Sequence, residues 1–272
     1  AGNINRIPID TNGESEQIES ITHFTKNKYY LTAEKGSSTS SSLHILENSS
    51  TDKYRIMFNT DPSTEATIGW GQVYGTNQKV CYDTNPDADW NNCPNAISPF
   101  RSIDYLSMHN QFVKLTGLIP DTKYYFVIKD SEGISERFWF KTVSDNNNER
   151  LSIISGGDSR YDTGLANFDE AVFREYRKNS NRLVAKLRPH AVFFGGDLIG
   201  GPGKLPDTMA KWLDDWQLTI TSDHQIIPVV HSYGNHESDN PDGDILTLNR
   251  LFDTPADSYY NVRFGGDLFS YY

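Results

Sequence analysis

Long apolar runs are absent from the sequence, and no stretch approaches the roughly 20 apolar residues that a membrane-spanning helix needs. A surplus of positive charge is absent too, because 25 Lys and Arg residues face 36 Asp and Glu residues, which gives a net charge of −11. Sequence-independent binding of nucleic acid depends on clustered Lys and Arg. The sequence therefore predicts a chain that does not span a membrane and does not bind nucleic acid.

Cysteine is scarce, with only Cys81 and Cys93 in 272 residues. No further Cys or His pair stands at the spacing of a structural zinc site. The two cysteines enclose a turn-rich segment, and a disulfide that closes a loop of roughly 15 residues would stabilise the fold by about 3 kcal/mol. Two free thiols are the alternative. A disulfide would indicate an oxidising compartment, so we expect a secreted or periplasmic protein.

The N-terminus supports the same expectation. The chain begins at Ala1 and carries no charged-then-apolar leader, which fits a mature protein whose signal has been removed. A trimmed chain would begin in the same way.

Three regions differ in their residue pattern. Residues 1–52 form a weakly patterned N-terminal extension, whereas residues 53–145 contain short alternating segments about every 10 residues, which is typical of a β-sandwich. These segments are 54–58, 66–70, 111–115, 124–129 and 137–141. A polar, turn-rich stretch then marks the start of a third region, residues 146–272.

The third region alternates between strand-like and helix-like segments. Strands are predicted at 151–154, 191–194 and 226–231, with helices at 167–187 and 206–220 between them. This order predicts an α/β layer with parallel strands. The expected fold class is therefore two domains, an all-β sandwich followed by an α/β layer.

Single residues of the third region also carry expectations. Asp214 and Asp215 stand between two tryptophans of a predicted helix, so we expect both on its solvated face. His231 ends a predicted strand, where it is either a packed or hydrogen-bonded residue or takes part in a metal site.

Each predicted strand of the third region ends in a polar motif that contains glycine. The motifs are Gly-Asp-Ser-Arg at 157–160, Gly-Asp-Leu-Ile at 196–199 and Gly-Asn-His-Glu at 234–237. The carboxyl ends of strands in an open α/β sheet form the crevice in which ligands bind, so the motifs should converge. Their carboxylate, amide and imidazole groups suit Zn, Mn, Fe or Mg. Two such ions can promote displacement at phosphorus.

The three motifs, in this order and spacing, resemble the first three blocks of the calcineurin-like metallophosphoesterases. The preceding sandwich makes the purple acid phosphatase branch the most similar. Within the sandwich, residues 115–126 resemble the corner of a fibronectin type III-like domain, with Leu118 buried in the turn. The resemblance covers about residues 53–272, and it implies that 146–272 are the N-terminal half of a metallophosphoesterase domain.

The resemblance implies roles for four residues, and a fifth, Arg160, departs from the family pattern. Asp158 would bind the first metal ion, Asp197 would bridge both ions and Asn235 would bind the second. His236 would lie just outside the metals as a transition-state stabiliser or general acid. Arg160 stands where many members have histidine, and its planar guanidinium would contact substrate phosphate, with a structural ion pair as the alternative.

Another departure from the family lies at the position of a metal ligand. Purple enzymes carry a tyrosine ligand three residues after the bridging aspartate, and this chain has Gly200 there. An iron–tyrosinate centre is therefore not expected.

The resemblance further implies an enzyme, a phosphoesterase that hydrolyses phosphate monoesters of a small molecule by attack of metal-bound hydroxide. Its cofactor would be two divalent or trivalent transition metal ions, Zn, Fe or Mn. The alternatives are a phosphodiesterase with the same metal core and a non-catalytic surface or adhesion module with a degenerate phosphatase-like half. The family's other metal histidines belong to later blocks, so we expect a fragment or the first piece of a nicked enzyme, with the C-terminal part as a separate partner.

Overall fold

The computed structural model describes residues 49–160, 170–199, 206–238, 246–255, 259–265 and 269–271, together with four two-residue strands between 30 and 44. The chain divides into two compact units, Ala1–Ser49 and Ser50–Tyr272. In the first unit, two antiparallel pairs form. Strand β1 (Tyr30–Leu31) pairs with β4 (Leu43–His44), and β2 (Glu34–Lys35) pairs with β3 (Ser38–Thr39).

In its described residues, the second unit combines two large β-sheets with four α-helices. Its strands are β5 (Thr51–Met57), β6 (Ala66–Gln72), β7 (Lys79–Asp83), β8 (Ala96–Ile97), β9 (Arg101–Tyr105), β10 (Met108–Leu115), β11 (Lys123–Asp130), β12 (Gly133–Ile134), β13 (Phe138–Lys141), β14 (Ile153–Gly156), β15 (Ala191–Phe194), β16 (Val229–His231), β17 (Val262–Phe264) and β18 (Phe269–Tyr271). Its helices are α1 (Glu170–Leu187), α2 (Pro206–Trp216), α3 (Asn235–Ser238) and α4 (Leu246–Phe252), with a 3-10 turn at Gln217–Thr219. No described helix is both long enough and apolar enough to cross a membrane.

Strands β5 to β13 form a β-sandwich. Antiparallel strands β5, β6, β10 and β9 lie in one sheet, and β12, β11, β7 and β8 lie in the other, with β13 paired to β11. Apolar side chains at alternating positions of both sheets meet in one core, for example Ile56 and Ile68 from the first sheet and Phe126 from the second. Burial of alternating apolar residues is what stabilises such a pair of sheets. The predicted all-β region is therefore confirmed.

A tyrosine fixes the corner that precedes β11. Leu118 is buried in the turn, as predicted, and the backbone N–H of Ile119 donates to the hydroxyl oxygen of Tyr124 at 2.8 Å. Tyr124 is itself buried against Phe140. The corner thus pairs a backbone donor that would otherwise lack a partner and anchors the turn to the core.

The predicted disulfide between Cys81 and Cys93 is confirmed. It closes the loop between β7 and β8, and Val127 and Trp90 pack against it. Trp90 in turn donates its indole N–H to the carbonyl of Pro86 at 3.2 Å. The loop is therefore held by a covalent link and by a small apolar cluster of its own.

Strands β14, β15 and β16 are parallel, and they extend the first sheet of the sandwich. Val229 of β16 pairs in parallel with Met57 of β5, and the N–H of Phe58 donates to the carbonyl of Val229 at 3.1 Å. The result is a seven-stranded sheet in the order β14-β15-β16-β5-β6-β10-β9. The predicted division near residue 145 and the separate α/β domain stay predictions.

Helix α2 inserts an apolar face into the core beside the parallel strands. Met209, Trp212, Leu213 and Trp216 are buried at helical spacing, and Phe194 of β15 packs edge-on against both tryptophan rings. Helix α1 lies within the predicted segment 167–187, whose first three residues fall outside the described residues.

Asp215 corrects the expectation that both acidic residues of α2 face solvent. Its side chain is buried and accepts hydrogen bonds from Arg174 and Arg177 of α1, while Asn181 donates to its backbone carbonyl at 2.7 Å. The side chain of Asp214 is 55% exposed and pairs with Lys53 at 3.2 Å. The prediction was wrong for Asp215 because α1 presents two arginines and an asparagine to this residue of α2.

Candidate functional site

The three glycine-containing motifs meet at one edge of the parallel strands. Gly156 of β14 is in register with Phe194 of β15, and Phe194 is in register with His231 of β16. Each motif begins just beyond this line. The loops also contact each other directly, since the N–H of Asp158 donates to the carbonyl of Gly196 at 3.1 Å.

Glycine is required where the second and third motifs approach each other. A Cβ at Gly196 would lie 2.0 Å from the backbone nitrogen of Gly234, and a Cβ at Gly234 would lie 2.0 Å from Oδ1 of Asp197. Asp158 and Asp197 both adopt left-handed backbone conformations, with φ of 50° and 55°. Such conformations are uncommon for residues other than glycine and concentrate at functional sites.

Glu237 joins the second and third motifs. Its side chain is buried, Oε2 accepts the N–H groups of Asp197 and Gly234, and Oε1 accepts the N–H of Leu198, all at 2.7–2.8 Å. In return, Oδ1 of Asp197 accepts the N–H of His236 at 3.1 Å. These reciprocal contacts fix the position of the Asp197 carboxylate. The sequence indicated no such role, although an acidic residue directly after Asn-His was a visible signal.

Ser159 joins the first motif to the second and to α2. Its hydroxyl donates to the carbonyl of Leu198 at 3.1 Å and accepts the indole N–H of Trp212 at 2.7 Å. Its carbonyl accepts a hydrogen bond from Arg177 at 3.1 Å. Ser159 lies between Asp158 and Arg160. Both its side chain and its backbone are therefore held by hydrogen bonds.

Arg160 places one positive charge between the two carboxylates. Its Nε lies 3.1 Å from Oδ2 of Asp197 and 3.6 Å from Oδ1 of Asp158. Asp197 is nearly buried, whereas the side chain of Asp158 is 78% exposed. The contact corresponds to the ion-pair alternative for Arg160, and its contact with phosphate stays a prediction.

Asn235 and His236 begin the short helix α3 at the same edge. Asn235 is exposed and His236 is partly buried. The structure thus brings Asp158, Arg160 and Asp197 into direct contact, and it ties His236 to Asp197 through the backbone. The predicted metal and catalytic roles of these residues stay predictions, and Gly200 lies outside the described residues.

His231 lies behind the site in an aromatic cluster. Its ring centroid is 3.8 Å from that of Phe252, with Phe194 and Trp212 also close. Burial lowers the pKa of His231 to about 3, and the positive charge of Arg55 acts in the same direction. Neither ring nitrogen has a hydrogen-bond partner among the described residues. The sequence left open whether His231 is a packed residue or part of a metal site, and its position is that of a packed residue.

The donor set fits part of a metal centre. Asp158 and Asp197 converge on a point that holds a positive charge, which is the arrangement that a cation requires. In the part of the chain that the structure describes, however, no three His, Cys, Asp or Glu side chains form a group that could hold a metal ion. A complete centre therefore needs further donors.

Comparison with known families identifies the sandwich. Residues 51–142 match the family model of the purple acid phosphatase N-terminal domain. A search of curated proteins finds no match.

Among solved structures, a purple acid phosphatase from yellow lupin (Lupinus luteus) seeds is similar, with a TM-score of 0.54 at 14% identity. The similarity covers 88% of this chain and 43% of the lupin chain. PhoD is similar over 71% of this chain and 40% of its own, with a TM-score of 0.49 and 14% identity. The chain spans less than half the length of either protein. The resemblance to the purple acid phosphatase branch is thereby confirmed, and residues 51–142 form a domain similar to the N-terminal domain of purple acid phosphatases.

Proposed function

We propose that this chain is the N-terminal part of a metal-dependent phosphoesterase that hydrolyses phosphate monoesters of a small molecule. The observation that carries the proposal is the convergence of Asp158 and Asp197 on one positive charge at the carboxyl ends of parallel strands. The phosphatase-like sandwich at 51–142 supports it. In this proposal, residues 146–272 provide the first half of the metallophosphoesterase domain, and 53–145 support it as a fibronectin III-like sandwich.

Three residues of this chain would hold metal ions in the proposed enzyme. Asp158 would bind the first ion, Asp197 would bridge two ions and Asn235 would bind the second. When bound, two transition metal ions such as Zn, Fe or Mn supply positive charge at a phosphoryl group and lower the pKa of water. The remaining ligands would come from a C-terminal part of the same protein, since this chain spans 43% of the lupin enzyme.

The other residues would position and protonate the substrate. Asp197 is held by Glu237 through its backbone, so its carboxylate is preorganised for a ligand. The backbone N–H of His236 donates to Oδ1 of Asp197, and from this position its imidazole would give a proton to the leaving-group oxygen. The guanidinium of Arg160 would bind phosphate oxygens in a planar, bidentate geometry. The disulfide supports a secreted or periplasmic location for this enzyme.

The test compares the full-length protein that contains this chain with an Asp197→Asn variant. After reconstitution with Zn, Mn or Fe, we expect about two metal ions per chain and hydrolysis of a nitrophenyl phosphate monoester faster than of the bis-nitrophenyl diester. Asp197→Asn should reduce activity at least about 10–100-fold, the loss that even outer partners of metal ligands cause. Asp214→Asn, on the exposed side of α2, is the matched control and should retain activity. Faster hydrolysis of the diester would assign a phosphodiesterase.

A non-catalytic surface or adhesion module is the second candidate. The observation in its favour is the ion pair of Arg160, which neutralises carboxylates that a metal centre would use. Absence of both metal and hydrolysis in the full-length protein, after reconstitution with all three metals, would exclude the enzyme and leave this candidate.

A further inference from the structure

We propose that Arg160 is a built-in counter-ion that competes with metal ions for Asp158 and Asp197. The proposal rests on the proposed function, which supplies the competing ion, a transition metal ion such as Zn²⁺. It adds that the site has two alternative cations, the guanidinium of this chain and a metal ion from solution. The ion pair is then one of two states of the same site.

The first support is the use of both oxygens of Asp197. Oδ2 faces Nε of Arg160 at 3.1 Å, and Oδ1 accepts the N–H of His236. Asp197 is only 6% exposed, so its negative charge needs a nearby partner. Among the described residues, the ion pairs of Asp158 and Asp197 involve only Arg160. Arg160 therefore supplies the positive charge that the carboxylates need.

The second support is the chemistry of the guanidinium. Arginine stays protonated at all physiological pH values and has no lone pair for a metal, unlike histidine. At 3.1 and 3.6 Å from the two carboxylates, its charge lies in the space that a shared cation would take and repels any second cation there. A metal ion can therefore bind both carboxylates only after Arg160 moves away.

The third support is that the guanidinium is not locked in place. Its Nε is buried, yet its contacts with the carboxylates do not have the geometry of hydrogen bonds, and the side chain is 30% exposed. The contact is an ion pair held mainly by charge. Such a contact can be exchanged for a stronger cation without breaking an aligned hydrogen bond at Nε.

The test is a Zn²⁺ titration of the full-length protein that contains this chain, after treatment with chelator, at pH 8, followed by calorimetry. The variants are Arg160→Gln, which removes the charge, and Arg160→Lys, which retains it. Arg182→Gln on the exposed side of α1 is the matched control, because it changes net charge equally. Arg160→Gln should bind Zn²⁺ at least about tenfold more tightly than the parent chain, which corresponds to about 1.4 kcal/mol. The Lys variant and the control should stay close to the parent.

Thermal unfolding in chelator provides a second measurement. Arg160→Gln should unfold at a lower temperature than the parent and the control, and Zn²⁺ should restore its stability. If Arg160→Gln does not fold, Arg160→Leu replaces it, because leucine removes the charge, offers no ligand atom to a metal and should also increase Zn²⁺ affinity.

Three results would overturn the inference: equal or weaker Zn²⁺ binding by the uncharged variants, an unchanged unfolding temperature in chelator, or no Zn²⁺ binding by any variant. The proposed function fails separately, by absence of hydrolysis in the full-length protein. Tighter Zn²⁺ binding by Arg160→Gln without hydrolysis would support the counter-ion and exclude the enzyme. Hydrolysis together with weaker Zn²⁺ binding by Arg160→Gln would support the enzyme and exclude the counter-ion.

Discussion

Two different kinds of contact hold Asp197. Glu237 and its hydrogen bonds hold the backbone, whereas Arg160 balances the charge of the carboxylate. The side chain of Glu237 is buried, and its two oxygens accept three backbone N–H groups, those of Asp197, Leu198 and Gly234. The backbone position of Asp197 should therefore persist when the cation changes. At the scale of single residues, Glu237 therefore fixes the position of Asp197, and Arg160 balances its charge.

His231 makes the stability of the fold depend on pH. Burial lowers its pKa from 6.5 to about 3, so the unfolded chain binds more protons than the folded chain between these values. The free energy of unfolding should therefore fall as the pH drops below 6.5, by about 2 kcal/mol from this group between pH 7 and pH 5. Urea unfolding at several pH values measures this loss. His231→Leu should remove it, because leucine does not titrate.

The control for His231 is Leu248→Ala, which changes no titratable group and lies in the apolar cluster that contains Phe252 and Trp212. This variant should lose stability between pH 7 and pH 5 to the same extent as the parent. If His231→Leu also keeps the full loss, burial of His231 is not its source.

The residues of the site differ in how far the sequence predicted them. Convergence of Asp158 and Asp197 follows from their position after consecutive strands, and the structure brings them together. The role of Glu237 was missed, because its partner Asp197 lies 40 residues earlier and their contact exists only after both turns have formed. The aromatic surroundings of His231 include Phe252 of α4, which no local pattern connects with β16.

At the scale of elements, the contact between α1 and α2 depends on charge. Arg177 and Asn181 face inward, while Tyr176, Leu183 and Leu187 are 62%, 53% and 58% exposed. The apolar spacing predicted a helix correctly, but α1 carries both an apolar and a polar row of side chains at helical spacing. The polar row faces inward because Asp215 of α2 accepts its hydrogen bonds. The role of Asp215 could not be identified from the pattern of α1.

Asp215 should be far more important for stability than its neighbour Asp214. Burial alone would raise the pKa of Asp215, but hydrogen bonds from Arg174 and Arg177 outweigh it and lower the pKa below its usual range. Asp215→Asn leaves a buried guanidinium without its counter-charge, which should cost about 3–5 kcal/mol. Asp214→Asn removes only an exposed pair and should cost about 0–1 kcal/mol. Denaturant unfolding of both variants measures the difference, and equal losses would contradict the assignment.

At the scale of the whole molecule, the sandwich and the parallel strands of the second unit share their cores. Met57 and Phe112 of the sandwich lie in one apolar cluster with Trp212 and Trp216. Strand β13 also connects to the later region, since the N–H of Trp139 donates to the carbonyl of His224 at 3.0 Å. The sequence predicted a boundary near residue 145 from a polar stretch and a change of period. Such local signals do not show pairing between β16 and β5, which are far apart in the chain.

The shared sheet and cores predict that residues 50–272 unfold in a single cooperative step. The five tryptophans allow a direct test, because three lie in the sandwich region and two lie on α2. One variant keeps only the first group and another keeps only Trp212 and Trp216, with phenylalanine at the other positions. In each variant, denaturant transitions followed by fluorescence and by circular dichroism should coincide, as two-state unfolding requires. If the α2 tryptophans report a separate, earlier transition while the sandwich stays folded, the boundary near residue 145 divides two independent domains.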